Sequence, residues 1–212
     1  MNLPAFSPSD GALLVDKPAG LTSHDVVDRI RRHFGFKKVG HCGTLDPLAT
    51  GLLVIVLERA TKLQDRIMAD DKTYEGTLRL GITTDSQDAD GEVLAEKPVP
   101  PLTLADLEPV LQKFRGDIQQ IPPMVSAVKH HGQPLYKLAR KGKTVEREPR
   151  LVHIYDLSVL ALQLPDVKIR VTCTKGTYVR TLCHDIGEAL GCGAHLAELR
   201  RTRSGKLDVA HA

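Results

Sequence analysis

Tryptophan is missing from the 212 residues, and aromatic residues of all kinds make up only 4%. Each of the four tyrosines is therefore a residue to follow. No stretch approaches the roughly 18 consecutive apolar residues of a membrane-spanning helix. The start, MNLPAFSPSD, lacks the basic segment and apolar run of a secretory signal. A membrane span and export are set aside, and the cytoplasm is the expected compartment. The cysteines Cys42, Cys173, Cys183 and Cys192 form no C-x-x-C pair, so neither a zinc framework nor a disulfide scaffold is indicated. The nine histidines fall into no ligand spacing such as H-E-x-x-H, and no metal is expected. Gly40, Gly43 and Gly51 match neither a P-loop nor G-x-G-x-x-G, which removes the usual nucleotide cofactors. A large excess of one charge is lacking too: the net charge is +3.

What is present suffices for a core. Hydrophobic residues make up 42% of a length that suits one large domain or two small ones. No clean boundary interrupts the chain, so one domain over residues 1–212 is expected. The small net charge conceals clusters. Arg29 to Lys38 holds five bases and no acid, Lys129 to Arg150 seven bases against two acids, and Arg200 to Lys206 four bases. One such cluster is an ordinary solvated face. Three suit a polyanionic partner, and nucleic acid is the usual one. Asp85 to Glu96 is the reverse, with five acids and no base.

The hydrophobic pattern is that of a mixed α/β chain without repeats. GALLVD is a short apolar strand broken by Lys17-Pro18, and LLVIVL is a continuous apolar run and a candidate buried strand. Between them Thr22 or Ser23 caps a helix that stops at Gly35. Its apolar stripe is Val26, Val27, Ile30 and Phe34, and its other face Arg29, Arg31, Arg32 and His33. ATKLQDRIMA reads as helical. YEGTLRLGI alternates, so Tyr74 shares a strand face with Gly76, Leu78, Leu80 and Ile82, the side that packs or lines a cleft. SQDADGE is a turn. LADLEPVLQKFRG is a helix stopping at Gly116. Pro109 conflicts with a cap at Thr103, and a cap at Asp106 would bring the proline into the tolerant first turn. The segment Lys129 to Arg150 is an excursion from the sheet with a short helical stripe of Leu135, Leu138 and Ala139. LVHIYDLSVLAL and DVKIRVTC are strands, and YVRTLCHDIGEALG is a helix with Leu182, Ile186 and Leu190 inward.

One short stretch concentrates the chemistry. GHCGTLDPLATG, Gly40 to Gly51, carries a single acid, Asp46, on a turn with glycines at both ends. Cys42 beside His41 suggests a thiol hydrolase, but adjacent loop residues rarely achieve the thiolate–imidazole geometry, so an inert cysteine is the favoured reading. His41 with Asp46 suggests a metal site, against which the histidine spacing speaks. A lone carboxylate nucleophile is the third reading. Tyr178 and Arg180, two residues apart, read by default as one surface residue and one core edge. Composition and spacing alone stop at a cytosolic α/β protein that touches nucleic acid.

Resemblance extends this. GHCGTLDPLATGLL resembles the G-H-x-G-T-L-D-P-x-A-T-G-L-L signature of the TruB family of tRNA pseudouridine synthases. LLVDKPAGLTSHDVV, KTYEGTLRLGITTDSQDADGE, IPPMVSAVKHHGQPLYKLARKG, CTKGTYVRTLCHDIG and GCGAHLAELRRTRSG are similar to that family's blocks, in its order, from about Gly11 to Gly205. The resemblance implies an α+β, pseudouridine-synthase-like fold: a mixed, largely antiparallel sheet with a central cleft flanked by helices and loops. The implied substrate is uridine 55 in the T-loop of tRNA, bound through the T-arm stem-loop by a monomer. Many bacterial members continue into a small C-terminal RNA-binding domain. This chain ends at KLDVAHA, so the implied object is the catalytic core without that domain.

Isomerising uridine breaks the N1–C1′ bond and joins C5 to C1′. Nothing is oxidised or hydrolysed, so no cofactor or metal is implied, and one carboxylate suffices as nucleophile. By resemblance Asp46 is that catalytic residue, and Arg180 is the cation that keeps it ionised against burial. The target base lies inside a folded loop and must be turned out, and Tyr74 matches the ring on which it stacks. Tyr178 matches a second ring, and His41 and Leu199 match positions that contact substrate. Lys17, Pro18 and Asp88 fall on motif positions with supporting roles. The insertion at about 125–150 corresponds to the family's RNA-gripping loop, which makes Lys129, Lys137, Arg140, Lys141 and Lys143 the expected phosphate contacts. The alternative is a non-catalytic RNA-binding or RNA-folding protein on the same core. Asp46, Tyr74, Tyr178 and Arg180 speak against it, because a binder has no need of the carboxylate.

Overall fold

The computed structural model describes residues 10–212 apart from 127, 131 and 140. In chain order the elements are β1 (Gly11–Lys17), α1 (Ser23–Phe34), β2 (Val39–His41), β3 (Thr50–Leu57), a 3-10 turn (Glu58–Leu63), α2 (Gln64–Met68), β4 (Lys72–Leu80), β5 (Ile82–Thr84) and β6 (Val93–Glu96). They continue with α3 (Leu104–Gln112), β7 (Gly116–Gln120), β8 (Lys129–His130), β9 (Gln133–Pro134), α4 (Leu135–Ala139), β10 (Arg150–Gln163), β11 (Asp166–Cys173), α5 (Val179–Ala189), β12 (Ala194–Ser204), β13 (Leu207–Asp208) and a final 3-10 turn (Val209–His211). This is a mixed α/β architecture in which most strand pairs are antiparallel. Two compact units divide the chain: Met1–Tyr74 with Leu199–Ala212, and Glu75–Glu198. β4 and β12 each contribute residues to both.

In the first unit β3 is the central strand. β1 pairs with it antiparallel from Gly11↔Leu57 to Lys17↔Gly51, β2 pairs antiparallel through Gly40↔Val56, and β12 adds the one parallel register, Arg201↔Gly51. The continuous apolar run is explained by burial on both faces. Leu53 and Ile55 join Val26, Val27 and Ile30 of α1, whereas Leu52, Val54 and Val56 join Cys42 and Ala60. Each fully buried Leu, Ile or Val contributes about 2 kcal/mol by apolar area. The cap expected for α1 is at Thr22, as a capping box: Asp25 N–H donates to Thr22 Oγ1 (3.0 Å) and Thr22 N–H to the Asp25 carboxylate (2.8 Å). Gly35 ends the helix with φ 69°, a conformation that glycine adopts without penalty. Phe34 departs from its expected place on the apolar stripe. It is 59% exposed and lies edge-on to His33, because it occupies the last helical position, past the core that Ile30 reaches.

In the second unit the sheet order is β12-β4-β11-β10-β7, with β5 and β6 as a separate hairpin. β10 is 14 residues long and pairs antiparallel with β7 over its first part and with β11 over its second, with register shifts after Ile154 and Val159. Alternation places Val167, Ile169, Val171 and Cys173 of β11 inward. Leu182, Cys183 and Ile186 of α5 and Leu107 and Leu111 of α3 are buried as well, and α3 packs on β10 and α5. The cap of α3 is at Thr103, not at Asp106. Thr103 N–H donates to the Asp106 carboxylate at 2.8 Å in a second capping box, and Pro109 lies inside the helix. The helix tolerates it because Ala105, whose carbonyl loses the proline's missing N–H, is exposed to water, as is Pro109. Gly116 does not end this helix; it opens β7 with φ 81°. Ile82 belongs to β5, beyond the strand that holds Tyr74.

Candidate active site

The first unit holds Asp46, Lys17, Pro18, His41, Tyr74 and Leu199. Asp46 begins a tight turn: its carbonyl accepts from Ala49 N–H at 3.0 Å, with Pro47 at the position where a fixed φ favours the turn. Leu45 and Ala49, on either side, are buried in the α1 cluster, and Tyr74 and Leu199 pack against that same cluster, each half-buried. Asp46 itself is half-buried. The turn is tied to α1 by Ser23, whose Oγ accepts from Leu45 N–H (2.8 Å) and donates to Leu45 carbonyl (3.1 Å).

Two cations inside this unit grip the main chain around the acid. Lys17 is fully buried, and its Nζ donates to the carbonyls of Leu21 (2.7 Å), Pro18 (2.9 Å) and Pro47 (3.4 Å). Gly20 N–H adds a bond to Pro47 carbonyl at 2.8 Å. Burial lowers the pKa of the Lys17 ammonium, and the carboxylates of Asp46 and Asp25 oppose that shift. Pro18 is exposed and takes part through its carbonyl. The second cation, Arg201, is 1% exposed. Its Nε donates to Leu52 carbonyl (2.7 Å) and its Nη2 to Gly43 carbonyl (3.1 Å). His41 is half-buried; burial first, then the charge of Arg201, holds its imidazole below its ordinary pKa. Burial raises the pKa of the Cys42 thiol to about 11, so it stays protonated at neutral pH and supplies no thiolate.

The second unit holds Tyr178, Arg180 and Asp88. Arg180 and Asp88 are both buried, and Arg180 Nη1 donates to Asp88 Oδ2 at 3.0 Å. Arg180 Nη2 donates to Val125 carbonyl at 2.5 Å, which fixes both ends of the guanidinium fork. Asp88 sits in the expected turn, where Ser86 Oγ (2.5 Å) and Asp90 N–H (3.2 Å) also donate to its carboxylate. That turn is fastened to β12 by Leu196 N–H donating to Gln87 carbonyl and Ala89 N–H to Leu196 carbonyl. Tyr178 occupies the N-cap position of α5 and is held by Gln120, whose Oε1 accepts from Tyr178 N–H (3.0 Å) and whose Nε2 donates to Tyr178 carbonyl (3.2 Å). The Arg180 guanidinium lies 5.9 Å from the centre of the Tyr178 ring.

Arg201 and Gln120 were not singled out by sequence. Gln120 left no signal. Arg201 was read as part of a basic cluster, although strand alternation at Arg200-Arg201 would have turned one of the two inward. The structure sorts the three clusters. Three bases of the last are engaged within the chain: Arg200 binds Asp16 through two bonds (2.9 and 2.7 Å), Arg201 is buried, and Arg203 lies 3.8 Å from Asp208, whereas Lys206 is exposed. Arg29, Arg32, Lys37 and Lys38 are exposed, as are Lys137, Lys141 and Lys143. The Lys129 side chain and Arg140 lie outside the described residues. A depression of about 380 Å³ at α1, lined by Leu21, Asp25, Asp28, Arg29 and Arg32, includes none of the expected site residues. Among the described residues no helix is long and apolar enough to cross a membrane.

Residues 31–179 match the TruB family pseudouridylate synthase N-terminal domain, and residues 180–212 match the tRNA pseudouridylate synthase B C-terminal domain. The chain belongs to the TruB family of pseudouridylate synthases. It is 55% identical to the tRNA pseudouridine synthase B of Opitutus terrae, over 96% of this chain and 84% of that relative. With the tRNA pseudouridine synthase B of Burkholderia lata the identity is 56%, over 96% of this chain and 63% of that relative. Among solved structures, it is similar to a chain of a Cbf5-Nop10-Gar1 complex, with a TM-score of 0.74 and 35% identity over 94% of this chain. The match covers 50% of that solved chain, so this chain spans about half its length.

Proposed function

We propose that this chain is a tRNA pseudouridine synthase that isomerises uridine 55 of the T-loop, with Asp46 as the nucleophile acting on a base turned out of the loop. The observation that carries the reading is the presentation of Asp46: a half-buried carboxylate on a proline turn, gripped on the main chain by buried Lys17 and Arg201. A nucleophile that must meet one electron-poor atom of the everted nucleoside in one orientation needs such fixing more than it needs local flexibility. In the isomerisation the bond that Asp46 makes to the nucleoside is temporary: the N1–C1′ bonding pair leaves with the base, the base turns, C5 bonds to C1′, and the carboxylate is released unchanged. The proton lost from C5 is matched by one taken up at N1. Tyr74 serves as the stacking ring, and His41 and Leu199 as substrate contacts. Tyr178 and Arg180 complete the substrate-binding set, with Lys17, Pro18 and Asp88 as supports. Lys137, Lys141 and Lys143, with Lys129 and Arg140, bind phosphates.

The test is pseudouridine formation on a T-arm stem-loop transcript. Asp46→Asn abolishes product while stem-loop affinity stays within about twofold, since the variant loses a charge but no RNA contact. Unchanged turnover in that variant overturns the assignment of Asp46. A wild-type chain that binds the stem-loop without making pseudouridine favours the binding protein instead.

A further inference from the structure

We infer that Arg201 is a positioning residue for the Asp46 segment, bracing that loop at both of its ends and so setting where the carboxylate is held. The inference rests on the proposed role of Asp46, and it assigns a function to a residue that the motif reading left among surface bases. The two carbonyls that Arg201 binds, Gly43 and Leu52, flank Asp46 on the N- and C-terminal sides. Its main chain adds a contact on the C-terminal side: Arg201 is in register with Gly51, and a Cβ at Gly51 would come within 2.3 Å of Arg201 carbonyl oxygen. Gly43 and Gly51 have φ values of 102° and 96°, which side-chain-bearing residues rarely adopt. A Cβ at Gly43 would lie 3.3 Å from Arg201 Nη1. Loop and guanidinium are thus fitted from both directions. Burying an arginine is unfavourable unless its donors are matched, and those partners are main-chain oxygens of this loop. Arg200, its neighbour, turns the other way to an exposed pair with Asp16.

A lysine at this position keeps the charge but loses the planar fork, so it can reach one carbonyl where the arginine reaches two. The experiment compares Arg201→Lys, Arg201→Met and Gly43→Ala with wild type. It measures the single-turnover rate on the stem-loop, the stem-loop Kd, and the imidazole titration of His41 by NMR. In Arg201→Lys the rate falls at least tenfold while Kd stays within twofold. Gly43→Ala gives the same loss with Arg201 intact. In Arg201→Met the pKa of His41 rises as the nearby charge is removed, whereas in Arg201→Lys it holds. Wild-type rates in folded Arg201→Lys and Gly43→Ala proteins overturn the inference, and so does a loss confined to Kd. Should Arg201→Met not fold, the other two variants decide. A wild-type chain inactive on the stem-loop refutes the functional reading instead. Bracing is then judged by amide exchange over residues 44–51 in Arg201→Lys: faster exchange upholds it, and unchanged exchange overturns it.

Discussion

Asp46 stands on a turn whose main chain is gripped by two buried cations, whereas Arg180 is gripped at its own head group by a buried acid. Asp46 and Arg180 are therefore fixed by different means. In the first case, Lys17 and Arg201 bind carbonyl oxygens on either side of the acid, and the turn's shape does not depend on those bonds reaching the carboxylate. In the second, the Asp88 carboxylate and Val125 carbonyl take the guanidinium directly, so orientation and charge balance are set by the same bonds. Main-chain bracing tolerates a change of side chain at Asp46 itself better than at the glycines that shape the turn. Head-group pairing tolerates no such change, because removal of one ion strands the other.

The largest test of this contrast is Arg180→Met. It leaves the Asp88 carboxylate buried without its cation and should destabilise the protein by about 3 kcal/mol in urea titration. Arg180→Met combined with Asp88→Leu should recover most of that loss. A single-variant loss below about 1 kcal/mol would break the comparison. His41 gives a smaller effect. Its folded pKa lies below the ordinary 6.5, so the folded state prefers the neutral ring. The unfolded chain binds the proton first as pH falls, so stability is full above about pH 6.5 and declines below it. His41→Gln should remove that part of the decline, and identical acid slopes for the two proteins would refute it. Asp46→Asn sharpens the contrast from the other side: it removes one of the charges that offset burial of the Lys17 ammonium, so it should cost some stability, but less than Arg180→Met does, even as activity vanishes. The smallest effect is that of Cys42→Ala on catalysis. With the thiol protonated, turnover should stay within twofold, and an inactive variant would revive the thiol mechanism.

What could be read in advance followed the range of the interactions involved. β3 and α1 announce themselves because their burial repeats within a few residues, and Thr22 because a cap bonds three residues away. The α3 cap was misplaced because Pro109 was weighed as a strict stop, when its freed carbonyl partner merely faces water. Phe34 was assigned to the core by spacing that continues one turn beyond where the core ends. Asp46, Tyr74 and Arg180 were singled out through motifs. Arg201 and Gln120 were not, since their work lies in hydrogen bonds to main-chain atoms far along the chain.

Leu52 and Arg201 are separated by 149 positions. During synthesis the ribosome releases Lys17, Asp46 and the glycines around it early, and delivers Arg201 only after all of Glu75–Glu198 has been translated. A nascent chain halted before that point owns every atom of the acidic turn, with β1 already in register at Lys17↔Gly51, yet lacks the guanidinium that binds both Gly43 and Leu52. The segment made before Glu75–Glu198 is therefore braced only after that stretch, and the arrival of Arg201 doubles as its assembly step.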